Sequence, residues 1–117
     1  MNPTNFIGKV KNIGMLNKRD LVAEFEHVTP LEMDFRSGQF ISLKAAEMAF
    51  RPYSIATDYK NKKSLSIIVS VDHEGVGANY LKQLKVGDEV KYLGPSGLFK
   101  LKEPYAQNLY FLQQVLV

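Results

Sequence analysis

The sequence predicts an all-β domain, a six-stranded antiparallel Greek-key β-barrel with one short helix. Three observations carry that expectation. Apolar residues alternate with polar ones through most of the chain, the period of strands with one buried face. Turn chemistry interrupts the alternation roughly every eight to twelve residues, as in barrels and sandwiches. One stretch alone, after Gly75-Val76-Gly77, changes to helical spacing. About six strands and one short helix on a chain of 117 residues, 45% of them hydrophobic, suit one core and a Greek-key barrel better than an open sheet.

The elements follow in order. Phe6 to Leu16 contains a first strand, and Asn17-Lys18-Arg19-Asp20 is a polar turn. In Leu21 to His27, Leu21, Ala23 and Phe25 share one face and Glu24 and Glu26 the other. His27 ends that strand and Thr29-Pro30 closes it. Ser37-Gly38 turns the chain into Gln39 to Leu43, and Arg51 to Thr57 forms a fourth strand. Leu65, Ile67, Val69 and Val71 mark one face of a fifth. Ala78 to Leu84 is the helix, with Tyr80 and Leu84 on one side. Val86-Gly87-Asp88 ends it, Glu89 to Leu93 returns to strand, and Gly94-Pro95-Ser96-Gly97 is a tight turn into Leu98 to Leu101.

Composition removes several classes of function. There is no cysteine, so disulfides, thiolate metal sites, iron–sulfur ligation and cysteine nucleophiles are all excluded. No apolar run reaches the roughly 18 residues of a membrane span, and the N-terminus lacks the organisation of a secretory signal. A cytoplasmic setting is expected, with no membrane partner. The net charge of +3 is mild, and Lys60-Asn61-Lys62-Lys63 reads as a solvated turn, or as attraction for an anion or an acidic partner. Single-stranded nucleic acid would need exposed aromatics interleaved with Lys or Arg along a groove. Here the aromatics fall mostly on core-facing positions, so no nucleic-acid partner is expected. His27 and His73 lie far apart, Asp72-His73-Glu74 reads as a solvated loop, and no cluster has metal-ligand spacing.

Two segments could carry chemistry. In an extended strand Arg51 and Tyr53 of Arg51-Pro52-Tyr53-Ser54 point to one face. They offer a guanidinium for bidentate phosphate contacts beside a ring that can stack on a heterocycle. A dinucleotide presents both needs; the plain alternative is a surface arginine beside a core tyrosine. Gly75-Val76-Gly77 leads straight into the helix, where free backbone N–H groups and the positive end of the dipole favour an anion. A glycine turn at a helix start is also simply common. It is not the dinucleotide fingerprint of a Rossmann fold, because the third glycine and the strand before it are absent.

Taken in order, these segments resemble the FAD-binding domain of the ferredoxin–NADP reductase family. The matching residues are Arg51-Pro52-Tyr53-Ser54, Gly75 to Leu81, Val86-Gly87-Asp88, Gly94 to Phe99 and, before them, Ser37-Gly38-Gln39-Phe40. The resemblance covers roughly Phe6 to Leu112. It implies FAD as cofactor, with Arg51 on the pyrophosphate, Tyr53 stacked on the isoalloxazine and Ser54 bonding near flavin N5. Tyr53 and Ser54 would then be the catalytic pair and Pro52 part of the same strand. Strict alternation points the Ser54 side chain away from Tyr53, so either the strand bends or the backbone N–H makes the contact. Ile68, Val69 and Ser70 match the stretch whose backbone lies along the cofactor, and Gly75, Val76, Gly77 and Ala78 would hold the pyrophosphate. Ala78 stands where the family usually has Ser or Thr, which removes one phosphate donor.

The resemblance also implies partners. A flavin domain of this kind accepts hydride from NAD(P)H and passes electrons to an acceptor such as ferredoxin or flavodoxin. Residues 1–104 are expected to form the FAD-binding barrel. Residues 105–117 read as a linker and the first strand of an NAD(P)H-binding domain that the chain does not encode, leaving that role to a separate domain or subunit. The apolar tail, Leu109 to Leu112 and Val115 to Val117, is expected to drive self-association. The alternative is a stand-alone electron-transfer module with no reductase activity of its own.

Overall fold

The computed structural model describes residues 3–97. Over them the chain forms β1 (Thr4–Met15), β2 (Asp20–Thr29), β3 (Phe40–Ala46), β4 (Ala49–Ser54), β5 (Ser64–Ser70), α1 (Val76–Gln83) and β6 (Glu89–Ser96). The six strands form one sheet in the order β4-β3-β6-β1-β2-β5, with every pairing antiparallel. β6 returns to lie between β3 and β1, a Greek-key connection. The fold is the expected six-stranded antiparallel Greek-key architecture with one short helix, formed as a half-barrel whose end strands β4 and β5 do not pair. The readings placed on Leu98 to Leu101 and on residues 103–117 lie outside the described residues.

Period-two patterning builds the core. On β2, Leu21, Ala23 and Phe25 are buried while Glu24 and Glu26 face outward. On β5, Leu65, Ile67 and Val69 turn inward, and Val71 just past its end continues the face. The β1–β2 hairpin closes on Asn17, whose Oδ1 accepts the N–H groups of Arg19 (2.7 Å) and Asp20 (2.8 Å), an Asx turn. Register shifts in β1 at Ile7/Gly8 and Val10/Asn12 bend this long strand and let the sheet curl.

Three expectations change. β2 continues through Thr29, so His27 does not end it. Alternation from Phe25 carries His27 inward, where it is 3% exposed. Its ring packs on Phe6 and Tyr92, and Nδ1 lies 2.7 Å from the Tyr92 hydroxyl. Burial lowers its pKa to about 4, and Nε2 has no hydrogen-bond partner among the described residues.

The segment Gly94-Pro95-Ser96 is not a turn, because β6 runs through it and pairs Gly94 with Thr4 and Ser96 with Phe40. The glycine serves close approach: a Cβ on Gly94 would meet Ile41 Cγ2 at 2.9 Å. The helix also starts earlier than Ala78. Its buried face is Gly77, Ala78 and Leu81, with Tyr80 and Leu84 packed alongside. Among the described residues no helix is long and apolar enough to cross a membrane.

The sheet's two free edges, β4 and β5, position the site. Just beyond β4 the Ala56 N–H donates to the Ser66 carbonyl (2.8 Å). The Ser66 N–H in turn donates to Thr57 Oγ1 (3.3 Å). These bonds pin one end of the gap between the edges. At the other end the loop after β5 and the start of α1 lie across it.

Candidate functional site

Arg51 and Tyr53 stand opposite Leu43 and Ile41 in the β3–β4 register. Those partners are fully buried, so the arginine and the tyrosine leave β4 on the barrel's inner side. Among the described residues no strand pairs with the other edge of β4 there, and the two side chains lie against α1 instead. The contact is close at Gly77. A Cβ on Gly77 would overlap the Tyr53 hydroxyl and come within 3.2 Å of Arg51 Cγ. Tyr53 is half-buried and packs against the core. Burial raises its phenol pKa, and the charge of Arg51 partly offsets this. The Arg51 guanidinium donates to the Phe50 carbonyl (3.0 Å), and no carboxylate among the described residues pairs with it.

Ser54 settles differently from its neighbours. The Ile55 N–H donates to the Gln39 carbonyl (3.0 Å). In an antiparallel ladder bonded and unbonded pairs alternate, so residues 51, 53 and 55 bond toward β3. Residues 52 and 54 direct their backbone groups off the open edge, toward β5. Pro52 has no N–H to lose there, which suits an edge strand. The strand does not bend at Ser54: its hydroxyl is on the outer face, and the backbone N–H is what it presents to the gap.

At the far side of the gap α1 begins without help. Its N-cap is Gly75, with extended backbone (φ 166°), no side-chain cap and no acidic residue in the first turn. The Asn79 N–H reaches back to the Gly75 carbonyl (2.9 Å). The N–H groups ahead of it, on Val76, Gly77 and Ala78, have no capping side chain to satisfy them, and the positive end of the helix dipole sits with them.

Together these pieces enclose a cleft of about 320 Å³, lined by Arg51 to Tyr53, Val69 and Ser70, His73, and Gly75 to Ala78. Of the residues expected at the site, Ser54 and Ile68 alone fall outside this lining. The Ile68 side chain points away to solvent, 52% exposed, which leaves its backbone as the part near the gap. Ala78 lines the cleft yet is nearly all buried in the core, so little of its Cβ faces a ligand.

His73 is the residue the sequence reading missed. It is exposed, as a loop histidine should be, but it stands on the cleft wall. Its ring edge is the nearest thing to Gly75, with Cδ2 3.8 Å and Nε2 4.0 Å from where a Cβ would be. Ser70 Oγ donates to Asp72 Oδ1 (3.0 Å), and His73 Nδ1 lies 3.6 Å from the same oxygen. The Ser70 hydroxyl and, after it, the His73 ring hold the Asp72 carboxyl below its ordinary value. The signal was position: a histidine two residues before a glycine helix start is within reach of whatever that start binds.

Comparison with known proteins identifies the family. Residues 10–101 match the family model of the oxidoreductase FAD-binding domain. The electron transfer subunit of dihydroorotate dehydrogenase B from Streptococcus mutans is 32% identical over 93 residues, 74% of this chain and 35% of that protein. The reductase component of phenol 2-monooxygenase from a Pseudomonas species is 30% identical over 82 residues, 68% of this chain and 23% of that protein. The chain thus spans about a third or less of the length of these relatives. In fold it resembles an Amycolatopsis cytochrome P450 reductase, with a TM-score of 0.77 at 23% identity over 90% of this chain and 32% of that one. It also resembles the ferredoxin-NADP+ reductase of Plasmodium falciparum, with a TM-score of 0.65 at 23% identity over 91% of this chain and 42% of that one. Since the family match takes in most of the sequence, this chain belongs to the oxidoreductase FAD-binding domains, and its cofactor is FAD.

Proposed function

We infer that the chain is the flavin-holding part of an NAD(P)H-dependent oxidoreductase. It takes hydride at flavin N5 and passes electrons to a redox acceptor such as ferredoxin or flavodoxin. The observation that carries the reading is the convergence of Arg51 and Tyr53, from one face of an edge strand, on the glycine start of α1. A dinucleotide needs a cation and backbone donors at its diphosphate, and a flat apolar surface at its ring. The cleft offers these in that arrangement.

Bound FAD supplies the redox chemistry, accepting electrons as hydride and releasing them singly or in pairs. The chain's own residues bind and orient. Arg51, with no carboxylate partner among the described residues, is the diphosphate cation and can make bidentate contacts. The N–H groups of Val76, Gly77 and Ala78 share the same anion. Tyr53 presents its ring to the isoalloxazine, and Ser54 presents its N–H toward N5 as a hydrogen-bond donor. The edge backbone of Ile68 to Ser70 runs along the opposite side of the cofactor. Residues 1–104 act as one flavin-binding unit, and hydride comes from an NAD(P)H-binding domain or subunit working beside it.

A second reading is an electron-transfer subunit with no reductase activity of its own. It is favoured by the likeness to a protein named as such a subunit, and it uses the same cleft. Reconstitution tests what both share. The purified chain is loaded with FAD or FMN, its absorption spectrum is recorded, and the flavin released on heating is identified by chromatography. FAD retained at one per chain and preferred over FMN is the expected result. A chain that binds no flavin, or prefers FMN, would remove the diphosphate role from Arg51 and α1. Mixing the loaded chain with NADPH, alone and with a nicotinamide-binding partner, separates the two readings.

A further inference from the structure

The geometry points to His73 as a further ligand of the FAD diphosphate, donating from Nε2 at the glycine start of α1. The inference rests on the assignment of the cleft to FAD and adds a residue to it. It starts from the ring's orientation. Nδ1 faces Asp72 Oδ1 at 3.6 Å, and the Cδ2–Nε2 edge faces Gly75. That carboxylate oxygen already accepts the Ser70 hydroxyl at 3.0 Å, so it is held in place from β5. The imidazole is thereby turned with one nitrogen on the carboxylate and the other toward the cleft. In the complex both ring nitrogens face acceptors, the carboxylate on one side and the diphosphate on the other, an arrangement that fits the imidazolium form, which donates one N–H to each.

The need for such a ligand comes from the helix. α1 has no side-chain cap and no hydroxyl at Ala78, whose methyl is buried in the core. An anion at this helix start would meet backbone N–H groups on one side and Arg51 across the cleft on the other. The remaining side is the loop, and His73 is the loop side chain that lines the cleft. It supplies from the loop a donor that Ala78 does not supply from the helix. Asp72 does not undo this, because its carboxylate is engaged by Ser70 and by the far side of the same ring.

Equilibrium FAD titration of the full chain, His73→Ala and His73→Gln, followed by quenching of flavin fluorescence, tests the inference. His73→Ala is expected to bind FAD about tenfold more weakly, the loss of one hydrogen bond to a charged group. His73→Gln, whose amide N–H replaces the Nε2 donor, should stay within about threefold of the parent. The three apo chains should melt together, because the side chain is exposed. An unchanged affinity in His73→Ala, a loss shared equally by His73→Gln, or a loss that tracks a lowered apo melting temperature would each overturn it. A parent chain with no FAD affinity would instead overturn the cofactor reading beneath it.

Discussion

Tyr53 and Gly77 occupy one shared space: the tyrosine hydroxyl lies where a side chain on Gly77 would begin. The edge strand and the helix start are therefore fitted to each other at the point where both face the cleft. Alanine ordinarily stabilises a helix relative to glycine by up to about 1 kcal/mol, but here it would push the aromatic ring out of position.

Gly77→Ala should accordingly weaken FAD binding by about tenfold or more, while Gly14→Ala, on β1 away from the cleft and with nothing within 4 Å among the described residues, should leave it nearly unchanged. Adding Tyr53→Phe to Gly77→Ala removes the overlapping hydroxyl and should recover part of the loss. Isothermal calorimetry on the set measures this. Equal affinities for the two alanine variants would mean that the fit between strand and helix has no bearing on the cofactor.

Arg51→Ala should weaken FAD binding by roughly 1.5–3 kcal/mol, the range for a hydrogen bond to a charged group. The guanidinium has no carboxylate partner among the described residues, so its removal strands no buried charge and the apo fold should survive. Fluorescence titration of the variant provides the value. A variant that binds FAD as the parent does would take Arg51 out of the site.

Acid sensitivity should trace to His27. In the fold its pKa is lowered to about 4 by burial, whereas an unfolded histidine titrates near 6.5. Between those values the unfolded chain binds a proton that the native chain refuses. Stability is then complete above about pH 6.5 and falls as the pH drops toward 4, by about 3 kcal/mol in total. Urea unfolding across that range, on the parent and on His27→Gln, isolates the contribution. If the two show the same pH slope, another group is responsible.

Much of the fold was legible because local pattern and burial agree. Leu21, Ala23 and Phe25, like Leu65, Ile67 and Val69, alternate in sequence and turn inward together in space. Asn17 to Asp20 makes its turn from its own side chains. What was not legible depends on neighbours distant in sequence. Gly94-Pro95-Ser96 has the composition of a turn, and only Ile41 on the adjoining strand requires the glycine. His27 looked like a strand end because its partner, Tyr92, lies on β6.

At the site, the shared face of Arg51 and Tyr53 and the glycines before α1 were legible as separate elements. Which free edge of the sheet meets which was not, and that junction brings Ser70 and His73 to the same cleft as Arg51. The Ser54 contact was left open between side chain and backbone. The ladder phase, set by the bond from Ile55 to Gln39, turns the Ser54 backbone N–H toward the open edge.

The central claim is that FAD lies in the gap between β4, β5 and α1 with its flavin ring against Tyr53. Flavin fluorescence of the FAD-loaded chain, compared with that of Tyr53→Ala at saturating FAD, tests it most directly, since stacking on tyrosine quenches the flavin. The account predicts a strongly quenched flavin in the parent and bright bound flavin in the variant, with the apo chains equally folded. Bound flavin that is equally bright in both, or no saturable binding by the parent, would contradict it.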